Sequence, residues 1–448
     1  MIFTEEPVIT VGILTNKKIG FELYGNFKVV EIKNALSGMF IAEVKNDNIV
    51  ISGNKFQKEL FDEIIFEPED PYSDSFLIRD VTIGVDFHWK REETQQFNHS
   101  LKLNRDNDKI IAINRLPVED YLTSVISSEM SAKCSLQSLK AHAVVSRSWV
   151  LAQLSNSIFR DDIDQGTTAS KLDDEHIRWY DREQHKKFDV CGDDHCQRFQ
   201  GITKINTEIA RQAVSETRGV VLMNDDNICD TRYSKSCGGI TEDFKNVWAP
   251  VDLPYLTSVV DYKHMPDDFN LDLTSELNAR KWIQSNPPSY CNTEDEIILS
   301  QILVDFDQET RDFFRWELEY SQRELSSIIK EKSGFDFGDI INLIPVERGQ
   351  SARLIKLKIV GSKKTLTIGK ELEIRRLLSP THLYSSAFVV DKLFNGSDIP
   401  EKFILYGAGW GHGVGLCQIG SAVMAETGYK FDEILLHYFS NAKIKKIY

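Results

Sequence analysis

The sequence predicts a mixed α+β protein of two or three lobes, on three observations. Short alternating or β-branched segments recur through the first 115 residues, a pattern typical of strands. Two helical patterns follow from Pro117 to about Leu154, and strand and helix patterns then alternate to the end. With 448 residues, 41% of them hydrophobic, the chain can bury more core than one small lobe contains.

The charge and the cysteines narrow the possible partners. A formal net charge of −15 argues against nucleic acid or an anionic membrane surface, since both are bound through clustered Lys and Arg. Seven irregularly spaced cysteines indicate a reduced compartment or a metal site rather than a disulfide framework. No apolar run approaches the roughly 20 residues of a membrane span, so we expect no transmembrane segment. The acidic start, MIFTEEPVITVGIL, does not resemble a signal peptide, which leaves a cytoplasmic chain or one whose leader was removed.

We predict four segments along the chain. Residues 1–115 form a β-rich N-terminal lobe, with strand patterns such as VITVGIL and IVISG. Residues 116–260 and 379–448 form two parts of one core, and residues 261–378 form an α+β insertion between them. The charge-dense stretch from 155 to 196 is expected to run over the surface.

The insertion carries its own local signals. Residues 313–320 and 353–360 have strand patterns. Between them, Ser321 and Glu324 form a capping box that should open a helix ending at Gly334.

The segment LPVEDYLTSVISSEM (116–130) predicts an amphipathic helix with an acid on its apolar face. Pro117 and the early acids favour a helix start there. At 100° per residue Glu129 falls near the centre of an apolar arc of about 140°. That arc holds Tyr121, Leu122, Val125 and Ile126. A buried carboxyl tends to keep its proton near neutral pH, as a general acid must. The alternative is a fraying last turn in which the glutamate is solvated or paired for structure.

The next helix, LQSLKAHAVVSRSWVLAQL, has a charge in the same kind of place. Arg147 projects from the middle of its apolar face. A buried guanidinium needs a carboxylate or carbonyls around it. A pair with Glu129 would make that glutamate a poor acid, so we expect Arg147 to bind another acid or backbone oxygens as a structural brace.

Two later segments offer groups for ligand recognition. YSKSCGGIT carries hydroxyls at Tyr233, Ser234 and Ser236, and Gly238 and Gly239 would let a ligand approach the backbone. The alternative for this segment is an ordinary Gly-Gly turn.

In GAGWGHGVGLCQIG, glycine occupies every second position from 407 to 415, which predicts a strand or extended loop with one bare face. A sugar ring or another backbone could lie against that face, beside Trp410 and His412. Tight packing of the helix expected from about Cys417 is the alternative explanation. The pattern matches neither GxGxxG nor a P-loop.

The segment HKKFDVCGDDHC predicts a metal site. Its ligands would be His185, Cys191, His195 and Cys196. Two imidazoles and two thiols suit tetrahedral zinc, and Asp193 and Asp194 could orient the histidines. Four protein ligands leave no open position, so the zinc would be structural. The alternative is a reduced, solvent-facing loop.

Taken together, three blocks resemble the SpoIID/LytB family of sporulation stage II protein D and amidase enhancers. The blocks span about 116–152, 189–249 and 406–448. The resemblance implies a peptidoglycan lytic transglycosylase, and Glu129, followed by Met130, occupies the place of the family's single catalytic acid/base. It also implies that a His/Cys metal is present in some members and absent from others.

Two functions follow from the resemblance. In the first, the chain cleaves glycan strands between MurNAc and GlcNAc and leaves 1,6-anhydro ends, with Glu129 as acid and base. In the second, it binds the cell wall or a cell-wall amidase and stimulates that enzyme without cutting. A move to another polysaccharide is a third possibility. Family members usually work outside the cytoplasm, so the compartment is left open.

Overall fold

The computed structural model describes residues 3–448 except 31, 54–55, 61, 85–89, 131–133, 156–168, 173, 181–184, 194, 206–207, 265–266 and 303–310. It confirms the mixed α+β class, with 24% helix and 38% strand in several sheets. Two compact units divide the chain. Unit 1 comprises residues 1–157, 182–221 and 445–448, and unit 2 comprises residues 158–181 and 222–444.

The secondary structure of the described residues comprises helices and strands with the following bounds. The helices are α1 Val118–Glu129, α2 Leu136–Ser155, α3 Glu208–Glu216, α4 Phe244–Val247, α5 Glu276–Ile283, α6 Glu296–Ile302, α7 Gln322–Ser333, α8 Glu371–Leu377, α9 Gln418–Glu426 and α10 Phe431–Tyr438. The strands are β1 Val8–Asn16, β2 Lys18–Val29, β3 Ile32–Lys45, β4 Asn48–Gly53, β5 Phe56–Leu60, β6 Glu63–Pro68, β7 Ser75–Ile83, β8 Arg91–Asn98, β9 Ser100–Asp106, β10 Lys109–Pro117, β11 Ala169–Leu172, β12 Glu175–Arg178, β13 Val190–Cys191, β14 Val220–Asn224, β15 Asn227–Ile228, β16 Tyr233–Ser234, β17 Arg315–Ser321, β18 Ile340–Arg348, β19 Leu354–Gly361, β20 Thr365–Gly369, β21 Phe388–Leu393, β22 Lys402–Ala408, β23 Leu416–Cys417 and β24 Lys443–Lys446.

Unit 1 is built on a large sheet, as the strand patterns predicted. Its path runs β13-β1-β10-β9-β6-β2-β3-β4-β5, and β7 pairs with β2 and β8. Strand β1 lies antiparallel to β10 and parallel to the short β13. Strand β10 ends at Pro117, and α1 begins at the next residue, so the sheet sets where α1 starts.

Helices α1, α2 and α3 pack on one another in unit 1. The apolar arc predicted for α1 is buried, since Tyr121, Leu122, Val125 and Ile126 are all 0% exposed. Burial of such side chains contributes about 1.5–3 kcal/mol each before the loss of chain entropy is counted. Helix α2 is buried over most of its surface, and the buried residues include polar ones such as Ser138, His142 and Arg147 as well as its apolar face.

Unit 2 contains several smaller sheets. A five-stranded sheet has the order β11-β12-β20-β19-β18, and a three-stranded sheet has the order β17-β22-β21. A further pair, β16 and β23, is parallel and joins two sequence motifs. Helices α7 and α8 cover an apolar core that includes Leu325, Ile329 and Ile374.

The surface course predicted for residues 155–196 is wrong for part of that stretch. Strands β11 and β12 belong to the five-stranded sheet, and β12 pairs in parallel with β20. Ile177 is buried there, at 7% exposed. The side chains of β11 and β12 are mostly polar, so the sequence pattern did not predict these strands, which contribute mainly their backbone to the sheet.

The predicted capping box of α7 is confirmed. The Ser321 hydroxyl accepts the Glu324 N–H at 3.3 Å, and the Glu324 carboxylate accepts the Ser321 N–H at 2.9 Å. The helix ends at Gly334, whose φ of 74° is the left-handed conformation that glycine adopts without strain.

The four predicted segments stay a prediction, because the compact units are defined by packing and the segments by sequence patterns. Within the described ranges, no helix has both the length and the apolar content needed to cross a bilayer.

Candidate active site

Glu129 is the last residue of α1 and is half-buried. Its Oε1 atom accepts the backbone N–H of Arg198 at 2.9 Å. At Met130 the chain turns to an extended conformation, with φ −126° and ψ 146°. The carboxylate is therefore held in direction by a backbone donor, on a residue that is only partly buried.

The loop that carries Arg198 is fastened along α1. The Tyr121 hydroxyl donates to Gln197 Oε1 at 3.0 Å, and the Gln200 N–H donates to Ser124 Oγ at 3.3 Å. The Phe199 ring stacks on Tyr121 with centroids 5.3 Å apart. These contacts fix the distance between the loop and the helix on both sides of the Arg198 donor.

The same loop is also anchored on β1. Asp189 Oδ2 accepts the Thr10 N–H at 2.8 Å and the Thr10 hydroxyl at 2.6 Å. Val190 and Cys191 then pair in parallel with Val11 and Gly12. The loop is thus a short edge strand followed by a turn rather than an unsupported solvent-facing segment.

The four predicted metal ligands converge in this loop. The ligand atoms of His185, Cys191, His195 and Cys196 all lie within 4.8 Å of one another. The Cys196 sulfur is 3.5 Å from His185 Nε2 and 3.5 Å from His195 Nδ1, and the Cys191 sulfur is 3.7 Å from His195 Nδ1. Zn–S and Zn–N bonds of about 2.3 and 2.05 Å at tetrahedral angles place sulfur and nitrogen about 3.6 Å apart. The donor set therefore fits a single tetrahedral ion.

The orienting role predicted for Asp193 and Asp194 towards the histidines stays a prediction. A hydrogen bond with the Cys196 thiol, and then burial, raise the pKa of the Cys191 thiol. Since a metal binds the thiolate, its binding would release protons here. Asp193 accepts the Gly84 N–H at 3.0 Å, which fixes the turn between the ligands. Asp194 lies outside the described residues.

The brace predicted at Arg147 is confirmed, and its partner is Glu119. The guanidinium Nε and Nη2 donate to the two carboxylate oxygens of Glu119 at 2.9 and 2.6 Å. Arg147 is 0% exposed and also donates to the Val220 carbonyl at 3.1 Å. Glu119 further accepts the Gly219 N–H at 3.2 Å and the Tyr448 hydroxyl at 2.7 Å. This network ties the first turn of α1 to α2.

In unit 2 the two predicted recognition segments lie side by side. Tyr233 and Ser234 pair in parallel with Leu416 and Cys417. Beyond them, the Trp410 N–H donates to the Ser236 carbonyl at 2.7 Å and the Ser236 N–H donates to the Trp410 carbonyl at 3.1 Å. The hydroxyl oxygens of Ser234 and Ser236 are buried and have no hydrogen-bond partner among the described residues.

The glycines of residues 407–415 allow the two segments to pack closely. The extended conformation predicted for 407–415 holds at Gly407, in β22, and is wrong beyond it, because Gly409, Gly411, Gly413 and Gly415 all have positive φ, between 76° and 94°. A Cβ at Gly409 would lie 2.8 Å from the Ser236 carbonyl oxygen, and one at Gly413 would overlap the Arg353 guanidinium. Another part of the chain occupies the space at these glycines, so the expectation that another backbone could lie there is met at Gly409. Gly238 and Gly239 are likewise buried, against the Gly409 backbone and the Trp282 ring, and their role towards a ligand stays a prediction.

Trp410 and His412, the two side chains of the glycine-rich segment that were expected to contact a ligand, both pack against other side chains of the protein. Trp410 stacks on Tyr384, with ring centroids 4.0 Å apart and planes 16° from parallel. His412 packs edge-on against Trp248, and its Nδ1 accepts the Val414 N–H at 3.0 Å. Burial, reinforced by nearby arginines, lowers the pKa of His412 to about 3, while a hydrogen bond with the Tyr233 backbone acts the other way. The imidazole is therefore neutral at physiological pH, with Nδ1 as an acceptor.

Sequence reasoning missed Arg353, which links the two segments. This residue is 1% exposed and donates to the Gly411 carbonyl at 3.1 Å and the Cys237 carbonyl at 3.1 Å. Its Nη1 also donates to the Ser351 hydroxyl, which in turn donates to Glu242 Oε2 at 2.6 Å. Arg353 begins the strand pattern RLIKLKIV, and the only available signal was a cation directly before an apolar run.

The arrangement defines an α+β protein with one half-buried acid beside a His/Cys cluster in unit 1, and two interlocked glycine motifs in unit 2. Comparison with known proteins relates two parts of this chain to family models. A family model described as "Stage II sporulation protein" matches residues 106–224, and one described as "Domain of unknown function (DUF8618)" matches residues 242–415. Residues 106–224 therefore form a segment similar to the SpoIID family.

Three relatives illustrate the breadth of the similarity. An uncharacterized protein of Brachyspira hyodysenteriae is 27% identical over 75% of this chain and 69% of its own length. The amidase enhancer of Bacillus subtilis is 25% identical over 71% of this chain but only 39% of its own length. Stage II sporulation protein D of Bacillus amyloliquefaciens is 22% identical over 75% of this chain and 76% of its own length.

Proposed function

We propose that this chain acts on the bacterial cell wall as a peptidoglycan lytic transglycosylase, with Glu129 as the only proton donor and acceptor. The observation that carries the proposal is the position of Glu129. Within the segment that matches the sporulation family, it is a partly exposed carboxyl group whose direction is fixed by the Arg198 N–H at 2.9 Å.

The proposed reaction needs one carboxyl group. The protonated Glu129 donates its proton to the glycosidic oxygen as the bond to the anomeric carbon of the muramic sugar breaks. The C6 hydroxyl of the same sugar then attacks that carbon, and the Glu129 carboxylate takes the hydroxyl proton. The product is a 1,6-anhydro end, and the glutamate is protonated again. Glycosidases that use water or a covalent intermediate need a second carboxyl group.

The remaining predicted residues would support this reaction. We assign sugar contacts to Tyr233, Ser234 and Ser236, whose hydroxyls lie in the turn beside the glycine-rich segment. The half-buried Trp410 and His412 are assigned to the same sugar contacts, and Gly238 and Gly239, which are buried, would shape the turn that carries the serines. A zinc ion bound by His185, Cys191, His195 and Cys196 would stabilise the loop that positions the Arg198 donor. Its four protein ligands would leave no coordination position for a substrate.

The test compares Glu129→Gln with Glu208→Gln, the same substitution at an exposed acid of α3 in unit 1. Purified variants are incubated with denuded glycan strands, and the fragments are identified by mass spectrometry. Loss of the acid should lower the yield of anhydro ends by about 100- to 10,000-fold, with binding to the strands retained. Glu208→Gln should cut normally. Equal cleavage by both variants contradicts the proposed role of Glu129.

A second function is supported by the similarity to the amidase enhancer, which extends over 71% of this chain. In that case the chain stimulates a cell-wall amidase without cutting. Adding wild-type or Glu129→Gln protein to an amidase and cell walls separates the two functions. Equal stimulation by both proteins, without anhydro products from either, favours the enhancer.

A further inference from the structure

A second group of metal-ligand side chains lies in unit 2, far along the sequence from the His/Cys loop. It consists of Cys237, Asp261, Cys291 and Cys417. Their ligand atoms all lie within 4.8 Å of one another, and none of the four residues is more than 2% exposed. No disulfide joins any of the seven cysteines.

The spacing of these atoms matches one tetrahedral ion. Two sulfurs bound to zinc at about 2.3 Å lie about 3.8 Å apart at the tetrahedral angle. The Cys237 and Cys291 sulfurs are 3.6 Å apart. A cluster that contains its own sulfide ions would hold its cysteine sulfurs farther apart, so the group fits a single ion.

The ligand atoms are oriented by their surroundings. The Cys417 sulfur accepts the Cys237 N–H at 3.3 Å and the Gly420 N–H at 3.4 Å. Asp261 Oδ2 accepts the Cys291 N–H at 2.9 Å and the Ser289 hydroxyl at 3.0 Å, and Oδ1 accepts the Tyr438 hydroxyl at 2.5 Å. An ionised carboxylate has about four acceptor positions, so one is left for a metal. Hydrogen bonds of this kind hold metal ligands in place in proteins.

The charges also point to a cation. Asp261 is 0% exposed, and it forms no ion pair within the part of the chain that the structure describes. Buried charges in proteins are paired or coordinate metals. Beside the cluster, the Arg315 guanidinium donates to the Gly238 carbonyl at 3.1 Å. Three thiolates, a carboxylate and a divalent ion sum to −2 (−4 + 2), and Arg315 offsets one of these charges.

We propose that Cys237, Asp261, Cys291 and Cys417 bind one divalent, thiophilic metal ion, zinc in the first instance, as a structural site. Binding exchanges three thiol protons, released to water, for three metal–sulfur bonds, and no group is oxidised or reduced. Four protein ligands close the coordination sphere.

The site would hold together four separate positions of unit 2. Cys237 lies in the YSKSCGGIT turn, Asp261 and Cys291 follow it in the chain, and Cys417 precedes the first residue of α9. The ion would therefore lock the turn that carries Ser236 onto the start of α9, whether or not Glu129 is catalytic.

The experiment measures metal content of the full-length chain, purified without chelator, by mass spectrometry of the metals. The wild type should carry about two zinc ions per chain, one on each cluster. Cys291→Ser should reduce this to about one, and Cys229→Ser, at a buried cysteine outside both clusters, should leave about two. The double variant Cys191→Ser/Cys196→Ser isolates the new site and should retain about one ion.

X-ray absorption on the wild type provides a second measurement, which does not depend on any variant folding. Two sulfurs at the first site and three at the second average 2.5 sulfurs per zinc, (2 + 3)/2. One ion per chain with two sulfurs overturns the proposal. So does a folded Cys191→Ser/Cys196→Ser variant without zinc, or a Cys237–Cys291 disulfide found by peptide mapping of unreduced protein.

Discussion

Removal of the Arg147 guanidinium should destabilise α1, which carries Glu129, and α2, which carries Arg147. In Arg147→Met the side chain keeps its apolar stem but loses both bonds to Glu119, at 2.9 and 2.6 Å, and leaves the Val220 carbonyl without this donor. Glu119, only 9% exposed, keeps the Gly219 N–H and Tyr448 hydroxyl as donors but loses its cation.

The size of the effect follows from that uncompensated charge. Breaking a buried pair on one side costs about 3–5 kcal/mol, which is a factor of roughly 150 to 5,000 in the opening equilibrium. Hydrogen exchange of peptides from α1 and α2 measures this locally, and urea unfolding measures it for the whole chain. Lys17→Met, which removes an exposed partner of Asp108, should leave both measurements unchanged.

A double variant tests whether the unpaired charge of Glu119 causes the loss of stability. Arg147→Met combined with Glu119→Leu leaves no buried charge, so it should recover part of the stability lost by the single variant. A cost below about 1 kcal/mol for Arg147→Met, or a double variant less stable than the single one, would refute the brace.

Two further predictions concern unit 2. The folded chain holds the pKa of His412 at about 3 against 6.5 normally, so the unfolded chain binds the extra proton and stability falls as the pH drops below about 6.5. His412→Gln should therefore flatten the dependence of the urea midpoint on pH between about 7 and 4, and an unchanged slope contradicts this. Ser321→Ala removes the capping box and should cost α7 about 1 kcal/mol in local hydrogen exchange. Ser327→Ala, in the exposed middle of the same helix, should not weaken it.

Local sequence patterns were sufficient to predict part of the fold and part of the candidate site. The capping box of α7 lies within four residues, and the first metal cluster lies within twelve, so their geometry depends little on distant contacts. The partner of Arg147 was foreseen only as a class, because nothing local to α2 distinguishes Glu119 from other acids. Burial made the pairing necessary, and tertiary packing chose the partner.

Long-range contacts were not predictable in the same way. Cys237 and Cys417 are 180 residues apart, and Arg353 lies between them in the chain, so their meeting depends on the whole of unit 2. Alternating glycines show where side chains are missing, but they do not reveal the sign of φ. The positive values at Gly409 and Gly413 reflect a partner that no local pattern encodes.

The pairing of β16 with β23 means that the chain enters and leaves the stretch between residues 234 and 416 at one place. The match to the domain of unknown function, residues 242–415, falls wholly inside that stretch. The entropic cost of closing a flexible loop rises by only about 0.6 kcal/mol each time its length doubles. A segment with adjoining ends can thus change in length at a small entropic cost, provided that it keeps residues such as Arg353 that hold the two flanking motifs together.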